Sequence, residues 1–251
     1  MPNIKVAFPT DEHYPFEDKR AVELAQNIVH DFKPDILIRG SDALDFYSVS
    51  SFLKSRKVYA KTLQDEIDAW KVGERSWADV APDADKPFLL GNHEERLQRY
   101  LLTKARELEG LSVLEFEKLL DFERFGLYTP KNNEVVVDRK LLIKHGTIVR
   151  KYSAYTAKAE LEKEMYGITV ITGHTHRGGA HYATTRTGVV AAYEGFCLCD
   201  INQSYIKGTA NWQQGILLAT VRPVGVQVDA VQFFRKGSKL YAYFRDKEYI
   251  V

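Results

Sequence analysis

Cysteine is scarce in this chain. Its 251 residues contain two, Cys197 and Cys199. That excludes a disulfide framework and makes a reducing cytosol the simple reading. No apolar run approaches the roughly 20 residues a membrane helix needs, and Met1-Pro2-Asn3-Ile4-Lys5 has no signal-peptide core. Charge of one sign is also lacking. Thirty-five basic and 34 acidic residues leave a net charge of +1, so overall charge names no partner. There is no internal repeat, low-complexity tract or evident linker. Hydrophobic residues make up 45% and charged residues 27%, an ordinary balance for a globular chain with a sizeable core.

Periodicity supplies the elements. Ile4–Phe8 alternates as a strand, and Lys19–Phe32 carries Val22, Leu24, Ala25, Ile28, Val29 and Phe32 at helical spacing. Pro34 ends that helix, and Asp35–Arg39 reads as a buried strand, completing a βαβ unit with a parallel pair. Residues 47–77 read as a helix that includes Phe52 and Leu53, and 78–86 as a loop. Pro87–Leu90 reads as a strand, 94–109 as a helix interrupted by Gly110, and 113–122 as its resumption. Phe116, Leu119, Leu120 and Phe122 suit a core or a packed lid. From about residue 130 the pattern turns to strands. Glu134–Val137 and Leu141–Lys144 flank a hairpin-like turn, and a helix over 156–166, capped by Gly167, precedes a strand at 168–171. Antiparallel strands follow over 182–193, 216–221, 226–234 and 239–244. The expected architecture is α/β (α+β), a four-layer α/β/β/α sandwich of two mixed sheets flanked by helices. Residues 1–251 are expected to form one domain, with an α/β half over 1–130 and a mostly β half over 131–251. Each half is expected to contribute one sheet.

Polar residues cluster just after these strands, where open α/β sheets place their chemistry. Asp11 and His13 are two apart after the first strand and share a face if extended. Alone they are equally a solvated loop. Gly40-Ser41-Asp42-Ala43-Leu44-Asp45 ends the second strand. Two carboxylates near one point repel unless a cation or proton lies between them. Asp42 is the better metal bridge, and Asp45 either orients a histidine or caps a helix. Gly91-Asn92-His93-Glu94 follows the third strand, with Gly91 allowing a sharp turn. His145-Gly146 ends another strand, and Gly173-His174-Thr175-His176 another. Two histidines one residue apart can each offer a nitrogen to a metal. Trp212 either lines a pocket or packs a sheet edge, and Cys197 and Cys199 read as buried core rather than a thiolate site.

Asp-x-His, Gly-x-Asp-x-x-Asp, Gly-Asn-His-Glu, a lone His-Gly and Gly-His-x-His, in this order, resemble the calcineurin-like metallophosphoesterases of phages and bacteria. The resemblance spans Asp11 to His176. It implies two divalent ions, Mn²⁺ first and Fe, Zn, Ni or Mg as alternatives. One would be held by Asp11, His13, Asp42 and His176, the other by Asp42, Asn92, His145 and His174, with a shared hydroxide attacking phosphorus. It implies that His93 stabilises or protonates the leaving oxygen and that Asp45 orients His93. Arg96 either touches the substrate phosphate or pairs with Glu at the surface, and Arg177 is a second candidate for substrate binding. Two departures stand out. Ser41 separates Gly40 from Asp42, and Phe46-Tyr47 replaces the Arg-Gly of protein phosphatases, which argues against that branch.

Between Arg139 and Tyr193 nine Lys or Arg face three acids, and Arg150, Lys151 and Arg177 follow the motif histidines. A positive field around the site would draw a polyanion. The expected substrate is therefore a phosphodiester, DNA or RNA, cut by a nuclease or phosphodiesterase. The alternatives are a phosphomonoesterase or small-nucleotide phosphodiesterase, and a non-catalytic metal-binding module, against which His93 speaks. The expected setting is the cytoplasm, of the host if phage-encoded, with no membrane partner. Oligomeric state is left open.

Overall fold

The computed structural model describes residues 3–52, 61–186, 188–202 and 209–251. Along the chain it builds β1 (Ile4–Phe8), α1 (Lys19–Phe32), β2 (Ile36–Leu37), β3 (Arg39–Gly40), α2 (Leu63–Val80), β4 (Lys86–Leu89), α3 (Glu95–Lys104), α4 (Phe116–Leu119), α5 (Phe122–Phe125) and β5 (Leu127–Tyr128). There follow β6 (Glu134–Val137), β7 (Leu141–Lys144), α6 (Tyr155–Lys163), β8 (Thr169–Thr172), β9 (Gly178–Thr185) and β10 (Gly188–Gly195). The last strands are β11 (Gly215–Arg222), β12 (Gly225–Gln232), β13 (Phe234–Lys236), β14 (Lys239–Phe244) and β15 (Lys247–Ile250).

Two mixed sheets face each other. The first runs β12-β11-β1-β2 and continues through β3-β4-β5. Residues 36–40 serve both parts, because β2 pairs in parallel with β1 while β3 pairs in parallel with β4. The second sheet runs β6-β7-β8-β10-β9, with β7, β8 and β10 parallel. Alternation divides each strand between two cores. Val6, Phe8, Leu217 and Ala219 of the first sheet meet Ile143, Ile171 and Tyr193 of the second. On the outer face of the first sheet, Ala7, Leu37 and Leu218 pack on Leu24, Ile28 and Phe32 of α1. On the outer face of the second, Leu142, Val170 and Ala192 pack on Ala157 and Leu161 of α6. The four layers are thus helix, sheet, sheet, helix, as the patterning implies. A separate sheet, β13-β14-β15, covers α1 with Leu240, Ala242, Phe244 and Tyr249.

Several elements differ from the sequence expectation. The two halves do not contribute one sheet each, because β11 and β12 complete the first sheet beside β1. The helix expected over 47–77 starts at Leu63, under a capping box in which Thr62 and Asp65 satisfy each other's backbone N–H. Ahead of it, among the described residues, Tyr47–Val49 forms a 3-10 turn. The Glu66 carboxylate holds that turn by accepting from the Tyr47 and Ser48 N–H groups, both at 2.8 Å. Leu53 lies outside the described residues. The helix expected over 94–109 stops at Lys104, and 113–122 breaks into a 3-10 turn and the short α4 and α5. Leu120 and Phe122 there are buried against Trp70 and Phe88, which makes them core. The helix expected over 156–166 ends at Lys163, and Glu164 rather than Gly167 caps it. No helix among the described residues is long and apolar enough to cross a membrane.

Candidate metal centre

The polar strand ends converge where the two sheets meet. Asp11 and His13 follow β1, Asp42 and Asp45 follow β3, Asn92 and His93 follow β4, His145 follows β7, and His174 and His176 follow β8. The loops that carry them are unusually bent. Asp11, His13, Asp42, His174 and His176 all adopt left-handed backbone, with φ between 54° and 74°. Non-glycine residues rarely do so, and such strain persists only where surrounding bonds enforce it. Those bonds are present. The Asp11 and His13 N–H groups donate to the Ser41 and Asp42 carbonyls at 2.9 and 3.0 Å. The His174 N–H donates to the Asp11 carboxylate at 3.1 Å. Buried Glu94 joins two loops by accepting from the N–H groups of Gly91 at 2.7 Å, Asp42 at 3.0 Å and Leu44 at 3.1 Å. Gly91 serves close approach rather than an unusual turn, since a Cβ there would lie 2.1 Å from Asp42 Oδ1.

The donors fall into two groups. In the first, His176 Nε2 lies 3.1 Å from Asp11 Oδ1 and 3.0 Å from His13 Nε2, with His13 Nε2 3.9 Å from the same carboxylate oxygen. In the second, His145 Nε2 lies 3.1 Å from His174 Nδ1, 3.2 Å from Asn92 Oδ1 and 3.4 Å from Asp42 Oδ2. All seven candidate ligands are therefore brought together. Pairs of ring nitrogens pointing at one another beside a carboxylate are a poor arrangement for hydrogen bonding alone, because each pair can share only one proton. They are a good arrangement around a cation. Imidazole, carboxylate and amide oxygen together suit a borderline divalent metal, so the residues fit such ions.

Electrostatics agrees. Burial alone would raise the Asp11 and Asp42 carboxyls, yet the neighbouring histidines hold both below the usual range. For Asp42 those histidines include His145, His93 and His13, so its charge is felt from both donor groups. Burial would also suppress a charge on His13 and His176. Instead His13 is raised by Asp11 and Asp45, and His176 is raised to about 9 by Cys199 and Asp11. The pocket is built to hold positive charge, supplied by protons or by metal.

His93 stands beside this set. Its Nδ1 is 3.2 Å from the Asp45 carbonyl and 3.4 Å from the Asp45 carboxylate, and its Nε2 is 2.8 Å from Arg96 Nη2. Burial and the neighbouring His13 lower its pKa. Arg96 also donates from Nη1 to the Asp45 carboxylate at 2.8 Å, so its partner is Asp45 and not a surface Glu. Asp45 additionally reaches His13 Nδ1 at 3.2 Å. Arg177, by contrast, donates to the Arg150 carbonyl at 2.7 Å and does not line either cleft of the site.

Other residues prove to matter that the motifs alone did not mark. Ser41, a departure from the family spacing, places its hydroxyl 2.8 Å from His145 Nδ1 and 2.8 Å from Thr10 Oγ1. That contact fixes the ring so that Nε2 faces the other donors. Cys199 and Cys197 are buried as expected, but Cys199 Sγ also sits 3.9 Å from His176 Nδ1. Trp212 lines a cleft, its ring edge-on to His176 at 4.3 Å.

Two clefts open on the donors and share none of the described residues. One, of about 690 Å³, meets His13, His93 and His176 and is bordered by Arg96, Tyr47, Phe52 and Trp212. The other, of about 510 Å³, meets Asn92, His145 and His174. Its charged residues are Lys144 and Lys163 with Glu95, Glu134, Glu160 and Glu164. The basic excess counted in the sequence therefore does not become a basic cleft, because Lys144 is already paired with Glu160 and Glu164.

Over 230 residues the chain is 31% identical to the Gene 54 protein of Mycobacterium phage D29 and 30% identical to that of Mycobacterium phage L5. Each match spans 86% of this chain and 89% of the relative. The chain belongs to the family of these Gene 54 proteins. No protein-family model matches it. Among solved structures, this Gene 54 relative resembles a metallophosphoesterase from Sphaerobacter thermophilus at 12% identity and a TM-score of 0.46, over 91% of this chain and 88% of that one. It also resembles Vps29 complexed with Zn²⁺ from Entamoeba histolytica at 11% identity and a TM-score of 0.38, over 91% and 99%.

Proposed function

We propose that this chain is a phosphoesterase dependent on two divalent metal ions, acting on phosphodiester bonds and most readily on nucleic acid. The observation that carries the reading is the convergence of Asp11, His13, His176 and Asp42, Asn92, His145, His174 into adjoining donor groups, with His93 held just outside them. Asp42, influenced by histidines of both groups, would be the residue held in common by the two ions. When bound, the metal pair acidifies water and neutralises phosphate charge. Hydrolysis joins the oxygen of water to phosphorus and breaks the ester P–O bond, and the departing oxygen needs a proton. His93 Nε2 is the group placed to give it, once the ring has taken up a second proton from solvent. Arg96 now rests on that nitrogen and on Asp45, and transfer of its guanidinium to the phosphate would free Nε2 for the task. A phosphodiester carries two substituents, and the two separate clefts offer room for both, whereas a monoester needs one.

Turnover of bis-p-nitrophenyl phosphate and p-nitrophenyl phosphate tests this, with Mn²⁺ and with EDTA. Metal-dependent hydrolysis of the diester, with weak or absent hydrolysis of the monoester, is expected. Cleavage of a plasmid or single-stranded oligonucleotide under the same conditions identifies a nuclease. Preference for the monoester would reject the diesterase reading, and turnover of neither ester would reject the phosphoesterase.

A further inference from the structure

We propose that the cleft bordered by Tyr47, Phe52 and Trp212 is a subsite for a nucleobase, on the leaving-group side of the scissile phosphate. The inference rests on the phosphoesterase reading and specifies its substrate. Among the described residues, every apolar side chain lining this cleft is aromatic and none is aliphatic. The described residues of the opposite cleft include no Phe, Tyr or Trp. A lipid or alkyl group would gain nothing from that distinction, but a flat heterocycle gains from stacking on ring faces.

The exposure of the rings points the same way. Trp70 and Trp77 are fully buried in the cores, whereas Trp212 is only half-buried and Phe52 is 71% exposed. Phe52 lies 5.9 Å from the Arg96 guanidinium, and Trp212 is aligned edge-on to His176. The cleft therefore joins the groups assigned to phosphate and proton to these aromatic rings. His93 and Arg96 line it and do not line the polar cleft. Since His93 serves the departing oxygen, the base in this cleft belongs to the departing nucleoside. The remaining nucleoside would lie on the side of the polar cleft, beside His145 and His174.

The test uses thymidylyl-thymidine and its two abasic analogues, in which one or the other base is removed. With Mn²⁺ the wild-type protein should cleave the analogue lacking the departing base roughly ten- to a hundredfold more slowly in kcat/KM, as loss of one stacked base implies. The other analogue should be affected far less. In Phe52→Ala and Trp212→Ala the ratio between intact and base-lacking substrate should fall towards one. Phe52 contacts no candidate ligand, so its variant separates stacking from disturbance of His176. A second measurement needs no turnover. Acrylamide quenching of the intrinsic fluorescence reports Trp212, the other two tryptophans being fully buried, and thymidine 5′-monophosphate should protect it. Equal cleavage of all three dinucleotides, together with no protection, overturns the subsite while hydrolysis of bis-p-nitrophenyl phosphate leaves the phosphoesterase standing. Protection of Trp212 without hydrolysis of any ester supports a nucleobase pocket and removes the enzyme.

Discussion

Replacing Arg39 by Met should destabilise the fold by about 3–5 kcal/mol, the usual cost of removing one partner from a buried ion cluster. Arg39 is fully buried between two equally buried carboxylates. Its Nη2 donates to Glu12 at 2.7 Å, its Nε donates to Glu74 at 3.0 Å, and its guanidinium lies 4.6 Å from the Trp77 ring. Burial by itself would favour the neutral guanidine, but Glu12 and Glu74 hold it charged. Burial already pushes the Glu74 carboxyl up despite Arg39, so without the arginine two carboxyls would face each other in the core with no cation. Trp77 Nε1 donating to Glu12 at 2.6 Å cannot replace a full charge. In a chain of this size the loss corresponds to a fall of roughly 6–20 °C in melting temperature. The triple variant with Glu12→Gln and Glu74→Gln should recover part of it, since the stranded charges are removed as well. A fall below about 2 °C in the single variant would show that the cluster carries no such weight. The consequence reaches the site, because Glu12 stands between Asp11 and His13.

This cluster also shows where sequence reading stops. Arg39, Glu12 and Glu74 look like surface charges when read one at a time, and only the fold sets them together. The strands and helices with matching bounds, β1, α1, β6, β7 and β14, are those whose local periodicity already states which side is buried. The start of α2 and the short turn ahead of it depend instead on Thr62, Asp65 and Glu66, whose hydrogen bonds decide the matter without any apolar pattern. The placement of β11 beside β1 joins residues over 200 positions apart, for which local pattern carries no signal. At the site, the motifs mark positions well because each donor follows a strand and strand ends gather at one edge of a parallel sheet. They do not state orientation. That Ser41 holds His145, that Glu94 ties three N–H groups, and that Arg177 turns towards Arg150 are facts of left-handed loops and buried bonds. Charge counting fails for a related reason. Lys144 contributes to the basic total, but Glu160 and Glu164 neutralise it where it sits.

Two substitutions separate holding metal from making use of it. Asp42→Asn should lose most of the bound manganese, because the carboxylate is the only anionic group in its donor set and amide oxygen is a weaker ligand. Inductively coupled plasma mass spectrometry of the purified protein reads this directly. Metal content equal to wild type would refute the shared position given to Asp42. His93→Ala should retain its metal, since its ring faces Asp45 and Arg96 rather than the donor groups. Its turnover should fall by roughly 10²–10⁴, the range for loss of a positioned proton donor. The fall should depend on the leaving group. A nitrophenolate departs easily without a proton, so bis-p-nitrophenyl phosphate should be the less affected substrate. A nucleoside alkoxide departs poorly, so the dinucleotide should be the more affected one. If the two substrates suffer equally, His93 acts by holding Arg96 and Asp45 in place and not by delivering a proton. If the dinucleotide is cleaved at the wild-type rate, His93 has no part in the reaction.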